Sequence, residues 1–226
     1  RNESSAASDV YKRQEYGFGR LSNSLTLGCD CLGEIHYFNS SGISFDGSVE
    51  VIENAICLHE EDYGIQWKHN DGMGAPNEVR RSRRLVISSI STIGNYDYGL
   101  FWYLYLDGTI EAEVKLTGIV GISAYNEDKH NPNQDLRISK ELVSPVHQHL
   151  FCMRLDWNLD GGNNQLFESE IELMPDDDNN LHGMQFQSVS THLKTEHEAK
   201  RDISPATSRV WKVAVSYTHL TLPTTH

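Results

Sequence analysis

The sequence predicts an all-β protein built as a large antiparallel β-sandwich. Short runs of β-branched and aromatic residues alternate with Gly-, Asp- and Asn-rich turns, and no long amphipathic helical pattern is present. With 38% hydrophobic and 23% charged residues among 226, a packed core is feasible. No stretch reaches the ~20 consecutive apolar residues of a membrane-spanning helix, so we expect no membrane span.

The first hairpin is predicted in the middle of the chain. Residues 85–90 are β-branched, residues 100–106 are apolar, and residues 109–116 alternate apolar and charged side chains. Asp107-Gly108 separates the last two runs. An Asp-Gly pair in this position predicts a type I′ turn, with positive φ at both central residues.

A second hairpin is predicted further along the chain. Residues 146–159 resemble one long strand, and residues 160–164 (Asp-Gly-Gly-Asn-Asn) have turn composition. After them, apolar or small side chains alternate with glutamates over residues 167–173, which is the period of a half-buried strand.

Both ends of the chain look foreign to the domain. Residues 1–14 and 216–226 resemble translated sequencing-adapter read-through, so we assign the domain to residues 15–215 and discount His219 and His226 as ligands. No secretory signal is visible, and because the chain does not begin with Met, the compartment stays open.

The net charge of −13 argues against nucleic acid as a partner, because phosphates would be repelled. The one basic cluster comprises Arg80, Arg81, Arg83 and Arg84. We interpret it as strand-flanking charge, with an anion contact as the alternative. A negative surface would attract a cationic substrate.

His147-Gln148-His149 is a candidate metal site. In a strand, residues i and i+2 project from one face, so two imidazoles can hold one copper, zinc, iron or nickel ion. The alternative is a pair that lines a polar strand face. No third ligand can be selected by sequence, since seven further histidines qualify by type: His36, His59, His69, His130, His182, His192 and His197.

The segment Thr92-Ile93-Gly94-Asn95-Tyr96-Asp97-Tyr98, taken alone, is compatible with an ordinary turn beside core tyrosines. It resembles, however, the T-x-x-N-Y-D/E-Y signature of copper amine oxidases, and His147-Gln148-His149 follows about fifty residues later, as the copper ligands do in that family. The resemblance covers roughly residues 15–215. It extends to Asn23-Ser24-Leu25 and to residues 27–33, 57–62, 80–84 and 102–109.

The resemblance implies a cofactor and a reaction. Tyr96 would become topaquinone with copper and dioxygen alone, His147 and His149 would be two of three copper(II) ligands, and Asn95 and Asp97 would hold the backbone and the ring. A primary amine would form a Schiff base with the quinone. The products would be aldehyde, ammonia and hydrogen peroxide, and the full-length parent would be a homodimer.

Two secondary sites are also implied by the resemblance. One is a disulfide between Cys31 and Cys57, with free thiols in a reducing compartment as the alternative. The other is a peripheral calcium or manganese site at Asp156, where Asn158 replaces a second aspartate. For His59 and the acidic residues that follow it, we favour a structural hydrogen-bonding role over a metal site.

The chain departs from the family at two positions. The family's general base, an aspartate ahead of Glu15-Tyr16, falls on Lys12, and the third copper histidine would lie beyond His226. The resemblance implies that the parent is an oxidoreductase. Because the base and the third ligand are missing, we expect this chain to be inactive. The alternative is a non-catalytic, metal-binding β-sandwich module.

We predict that the 226-residue chain does not form the quinone, because two histidines without the third bind copper weakly and leave an open site. The chain would be loaded with copper in air and treated with phenylhydrazine. No coloured product is expected, and a coloured adduct on Tyr96 would contradict the prediction.

Overall fold

The computed structural model describes residues 17–72, 74, 77–128, 131–133, 135–177 and 180–215. Both foreign-looking tails, Lys12 and His130 lie outside these residues, so the tail boundaries stay predictions. As predicted, the chain is all-β with antiparallel sheets. In the described part, the helices are two single 3-10 turns, Phe18–Leu21 and Pro205–Thr207, and neither could cross a bilayer.

The chain divides into two units, the first ending at Leu150 and the second beginning at Phe151. The main sheet of the first unit is a five-stranded antiparallel meander, so each strand pairs with its neighbour in sequence. Its strands are β1 (Ile35–Ile43), β2 (Val49–His69), β3 (Glu78–Ile93), β4 (Tyr96–Tyr105) and β5 (Ile110–Gly118).

Each unit also has a three-stranded antiparallel sheet, and in both the middle strand is out of sequence order. In the first unit the order is β6-β8-β7, and in the second it is β10-β9-β11. The strands are β6 (Ser123–Ala124), β7 (Asp135–Arg137), β8 (Leu142–Pro145), β9 (Asn164–Leu173), β10 (Phe186–Leu193) and β11 (Val210–Val215).

The β3–β4 hairpin turns through only two residues, Gly94 and Asn95. Ile93 pairs with Tyr96, and Gly94 has a φ of 62°. A glycine with positive φ at the first central position is the signature of a type II′ turn, whose twist matches that of paired strands. Tyr96 is thereby placed at the first position of a central strand.

The β4–β5 hairpin is confirmed, but its predicted turn type is wrong. Gly108 has a φ of 87°, whereas Asp107 is not among the residues with positive φ. The amide of Gly108 donates to the carbonyl of Tyr105 at 3.1 Å, and that of Tyr105 donates to Thr109 at 2.9 Å. This is a three-residue loop in which a left-handed glycine closes a type I turn, so only one residue needs positive φ.

The predicted hairpin of residues 146–173 is wrong in its first half. Residues 167–173 do form a strand, as part of β9, but residues 146–159 have no regular secondary structure. β9 pairs instead with β10 and β11. A strand needs a neighbour for its backbone hydrogen bonds, and among the described residues none pairs with 146–159.

The buried core of the first unit is small and centres on Leu25, Cys31 and Cys57. The apolar face predicted for β5 is largely exposed: Ile110 retains 63% of its accessible surface and Leu116 retains 55%. Further buried side chains of the meander lie on β3 and β4, at Val86, Tyr98 and Tyr103.

We predict that Gly118→Ala destabilises the contact between the end of β5 and the β3–β4 turn. A Cβ there would lie 2.4 Å from the carbonyl oxygen of Asn95, and Gly118 also has a φ of +107°. Gly64→Ala is the matched control, because its φ is +92° but no heavy atom lies within 4 Å of the added Cβ.

Both variants incur the backbone strain, of about 1–3 kcal/mol. Overpacking adds a further ~1–3 kcal/mol in Gly118→Ala alone. Urea unfolding measures the difference, and equal free energies of unfolding for the two variants would contradict the close backbone approach.

Candidate metal centre

Four aromatic side chains meet at the start of β4. The ring of Tyr96 lies 5.6 Å from that of His147 and 5.1 Å from that of His149, centroid to centroid. The two imidazoles are 4.8 Å apart. The ring of Tyr98 lies 5.7 Å from that of His149. The structure thus brings together the tyrosine and both histidines that the sequence singled out.

Tyr96 is held by backbone contacts on either side of it. The amide of Ile119 donates to the carbonyl of Asn95 at 2.7 Å, and Gly118, paired with Tyr96, allows this close approach. The segment continues past the tyrosine hydroxyl, because a Cβ on Gly121 would be 3.2 Å from it. The half-buried phenol therefore has a set position beside the histidines.

Asp97 and Thr92 tie the hairpin together on the face opposite Tyr96. The Thr92 hydroxyl donates to the Asp97 carboxylate at 2.5 Å and accepts from the side-chain Nδ2–H of Asn23 at 3.0 Å. Neighbouring residues of a strand point to opposite faces. Through these contacts, Asp97 stabilises the backbone of the hairpin. The role in orienting the ring that we expect for Asp97 and Asn95 stays a prediction.

The histidine pair keeps the alternation of a strand without being one. His147 and His149 are half-buried, whereas Val146, Gln148 and Leu150 are exposed. The Nδ1–H of His147 donates to the carbonyl of Pro145 at 3.0 Å, and Nδ1 of His149 shares a hydrogen bond of 2.6 Å with the Tyr98 hydroxyl.

Partners of this kind on the second ring nitrogen are typical of metal-binding histidines. Imidazole nitrogens also suit copper. The two histidines therefore fit as two ligands of a copper ion, bound through Nε2. No third ligand from this part of the chain joins them, since the described residues contain no group of three His, Cys, Asp or Glu side chains suited to a metal.

Cys31 and Cys57 are free, buried thiols that lie side by side. Burial and a hydrogen bond with Cys31 raise the pKa of Cys57 to about 12, so its thiol stays protonated at neutral pH. Cys29 is exposed. The position of the two buried sulfurs is compatible with the expected disulfide, which stays a prediction.

His59 has the structural hydrogen-bonding role that the sequence favoured. Its Nε2 lies 3.1 Å from Glu61 and its Nδ1 lies 3.3 Å from the sulfur of Cys57. Burial raises the pKa of Glu61, but hydrogen bonds from Arg84 and His59 outweigh it, so the net direction is down. The Glu61 carboxylate accepts hydrogen bonds from both Arg84 and Nε2–H of His59. Nδ1 of His59 is therefore left to accept one from the Cys57 thiol.

Every arginine of the cluster is paired with a carboxylate, three of them across β2 and β3 and Arg80 within β3. Arg84 donates to Glu61 at 2.9 Å, and its guanidinium lies 3.8 Å from the Tyr103 ring centroid. The other pairs are Arg80–Glu78, Arg81–Asp62 and Arg83–Glu60. This pattern agrees with strand-flanking charge.

Asp156 lies in the second unit, in the exposed segment without regular structure that also carries Asn158. Among the described residues, no group of three His, Cys, Asp or Glu side chains that could hold a metal ion includes it. The peripheral site therefore stays a prediction.

Sequence reasoning assigned no role in the site to Tyr98, Gly118 and Asn23, although Tyr98 and Asn23 stand in segments that resemble the family. Tyr98 could have been found, because residues i and i+2 of a strand share a face and Tyr96 was already singled out. Gly118 and Asn23 carry no local signal, since their roles depend on contacts made across the fold.

The comparisons with known proteins decide the family. A family model described as "Copper amine oxidase, enzyme domain" matches residues 2–221. The chain belongs to the copper amine oxidase family. The resemblance seen in the sequence motifs is thereby confirmed for the family and the fold.

Among curated relatives, this copper amine oxidase chain is 48% identical over 204 residues to histamine oxidase of Arthrobacter globiformis, covering 88% of this chain and 29% of the relative. It is 44% identical over 209 residues to primary amine oxidase of Arthrobacter sp. strain P1, covering 92% and 32%. The chain thus spans about a third of these relatives or less.

A solved structure agrees with the fold of this copper amine oxidase chain. The crystal structure of a copper-containing benzylamine oxidase from Hansenula polymorpha matches with a TM-score of 0.76 and 30% sequence identity. The match covers 87% of this chain and 31% of that one.

We predict that Cys31 and Cys57 form a disulfide under oxidising conditions and that reducing it lowers the free energy of unfolding by about 3 kcal/mol, because the bridge restricts the unfolded chain. Unfolding with and without a phosphine reductant measures the change, and alkylation mass spectrometry counts the thiols. Cys31→Ser should lose the reductant effect and Cys29→Ser should keep it. A Cys29→Ser chain that no longer responds to reductant would show that the wrong pair was assigned.

Proposed function

We propose that this chain is the cofactor-bearing part of a primary-amine oxidase, which converts a primary amine and dioxygen into an aldehyde, ammonia and hydrogen peroxide. The observation that carries the proposal is the contact of the Tyr96 ring with both His147 and His149. Copper(II) and a topaquinone derived from Tyr96 would supply a redox centre and an electrophilic carbonyl.

The residues of this chain would hold and orient that centre. His147 and His149 would bind the metal, with their Nδ1 atoms held by Pro145 and Tyr98. The backbone at Asn95 would keep the start of β4 fixed while the ring of Tyr96 is beside the metal. Its position beside the metal would thus select this phenol for modification.

The substrate class follows from the relatives and from charge. The names of the relatives and of the structural neighbour specify histamine, primary amines and benzylamine. A primary amino group is common to these substrates, and a net charge of −13 attracts an ammonium cation. We extend the proposal to a homodimeric parent and to Asp156 as an oxygen ligand of a peripheral calcium or manganese ion, the latter supported by the Asp-x-Asn spacing alone.

The test uses the full-length parent protein that contains this segment. Wild-type protein loaded with copper in air should give a coloured phenylhydrazine product on the peptide containing Tyr96, identified by mass spectrometry. Tyr96→Phe should give none, and amine-dependent release of hydrogen peroxide should fall to background, because phenylalanine has no hydroxyl that copper can activate.

Tyr105→Phe is the matched control. It removes a phenol from the same strand, one that hydrogen-bonds Glu111 and Arg84 instead of lying at the histidines, and it should form the product normally. An unmodified Tyr96 in copper-loaded wild-type protein would contradict the oxidase and favour the non-catalytic metal-binding module.

A further inference from the structure

Two phenols flank His149, and they contact it differently. Tyr96 and Tyr98 lie two residues apart on one face of β4, with ring centroids 5.1 Å and 5.7 Å from the imidazole. The hydroxyl of Tyr98 lies 2.6 Å from Nδ1 of His149. Tyr96 instead meets the ring edge-on, at an interplanar angle of 89°.

The two nitrogens of an imidazole point away from each other. A phenol bound at Nδ1 is therefore directed away from a metal ion bound at Nε2. His147 follows the same arrangement, since the carbonyl of Pro145 can only accept and so places the proton of that ring on Nδ1. Both histidines would then present Nε2 to one ion.

We propose that Tyr98 is a positioning residue for the copper site: its hydrogen bond with Nδ1 of His149 sets the orientation of that ring, and Nδ1–H is the donor when Nε2 binds the metal. The inference rests on the proposed function, because it concerns the same metal. It also explains how two neighbouring phenols differ, since Tyr98 is held on the side of His149 that faces away from the ion.

Tyr98 is well suited to this task because it is rigid. It is 1% exposed, and β4 lies between β3 and β5 in the sheet. The ring of Phe18 packs against it edge-on at 5.6 Å. A phenol fixed on three sides transmits its position to the histidine through one short hydrogen bond.

The experiment compares the copper affinity of the full-length parent protein and its Tyr98→Phe variant by competition with a chromophoric chelator. Loss of a partner of this type weakens metal binding by about 10–100-fold, and we expect a fall in that range. The electron paramagnetic resonance spectrum of bound Cu(II) should change as well, because the ligand ring is free to turn.

Tyr103→Phe is the matched control. Tyr103 lies on the same strand, is 2% exposed, and donates a hydrogen bond of equal length, 2.6 Å, to Glu113. The Tyr103→Phe substitution removes a hydroxyl that is equally buried but does not contact the histidines. The copper affinity and the spectrum should therefore stay unchanged. A parallel loss in both variants would assign the effect to sheet stability and overturn the proposal.

His149→Ala distinguishes the role of Tyr98 from the existence of the copper site. Weak binding by His149→Ala with normal binding by Tyr98→Phe would overturn the role of Tyr98 and leave the copper site standing. Equal affinities for wild type, His147→Ala and His149→Ala would overturn the site itself, and the inference with it.

A measurement on the unaltered chain covers the case in which Tyr98→Phe fails to fold. Ring-nitrogen chemical shifts of the Zn(II)-loaded wild-type chain identify the metal-bound nitrogen of His149. Coordination through Nε2 with the proton on Nδ1 is expected, and coordination through Nδ1 would overturn the proposal.

Discussion

The close approach of two backbones, at Gly118 and Asn95, is the constraint on which the candidate site depends. No side chain fits between them, since a Cβ on Gly118 would lie 2.4 Å from the Asn95 oxygen. That contact joins the last residue of β5 to the turn that begins β4. It therefore determines the position of Tyr96 and the path of the segment up to Gly121, which lies beside the Tyr96 hydroxyl.

Local features of the fold were predictable from the sequence, whereas features that need a distant partner were not. The strands around Asp107-Gly108 could be predicted because a turn depends on the types of adjacent residues. The turn itself has one left-handed residue rather than two. Residues 146–159 have strand composition and still form no strand, because periodicity reports side chains and does not supply a pairing neighbour.

The candidate site shows the same division. The i, i+2 spacing placed His147 and His149 on one side of the chain, and the alternating burial agrees even without a strand. The partners of their Nδ1 atoms could not be read from spacing, because Tyr98 reaches His149 across 51 residues. The same holds for Asn23, which reaches Thr92 across 69 residues.

These sequence separations also set an order of events. The β3–β4 turn closes over two residues, whereas the histidines must be brought to it by a far longer loop, whose closure is slower and entropically more costly. We therefore expect the hairpin that carries Tyr96 to close before the two histidines reach it. The oxidation proposed above needs both groups, so it would be confined to molecules that have already folded.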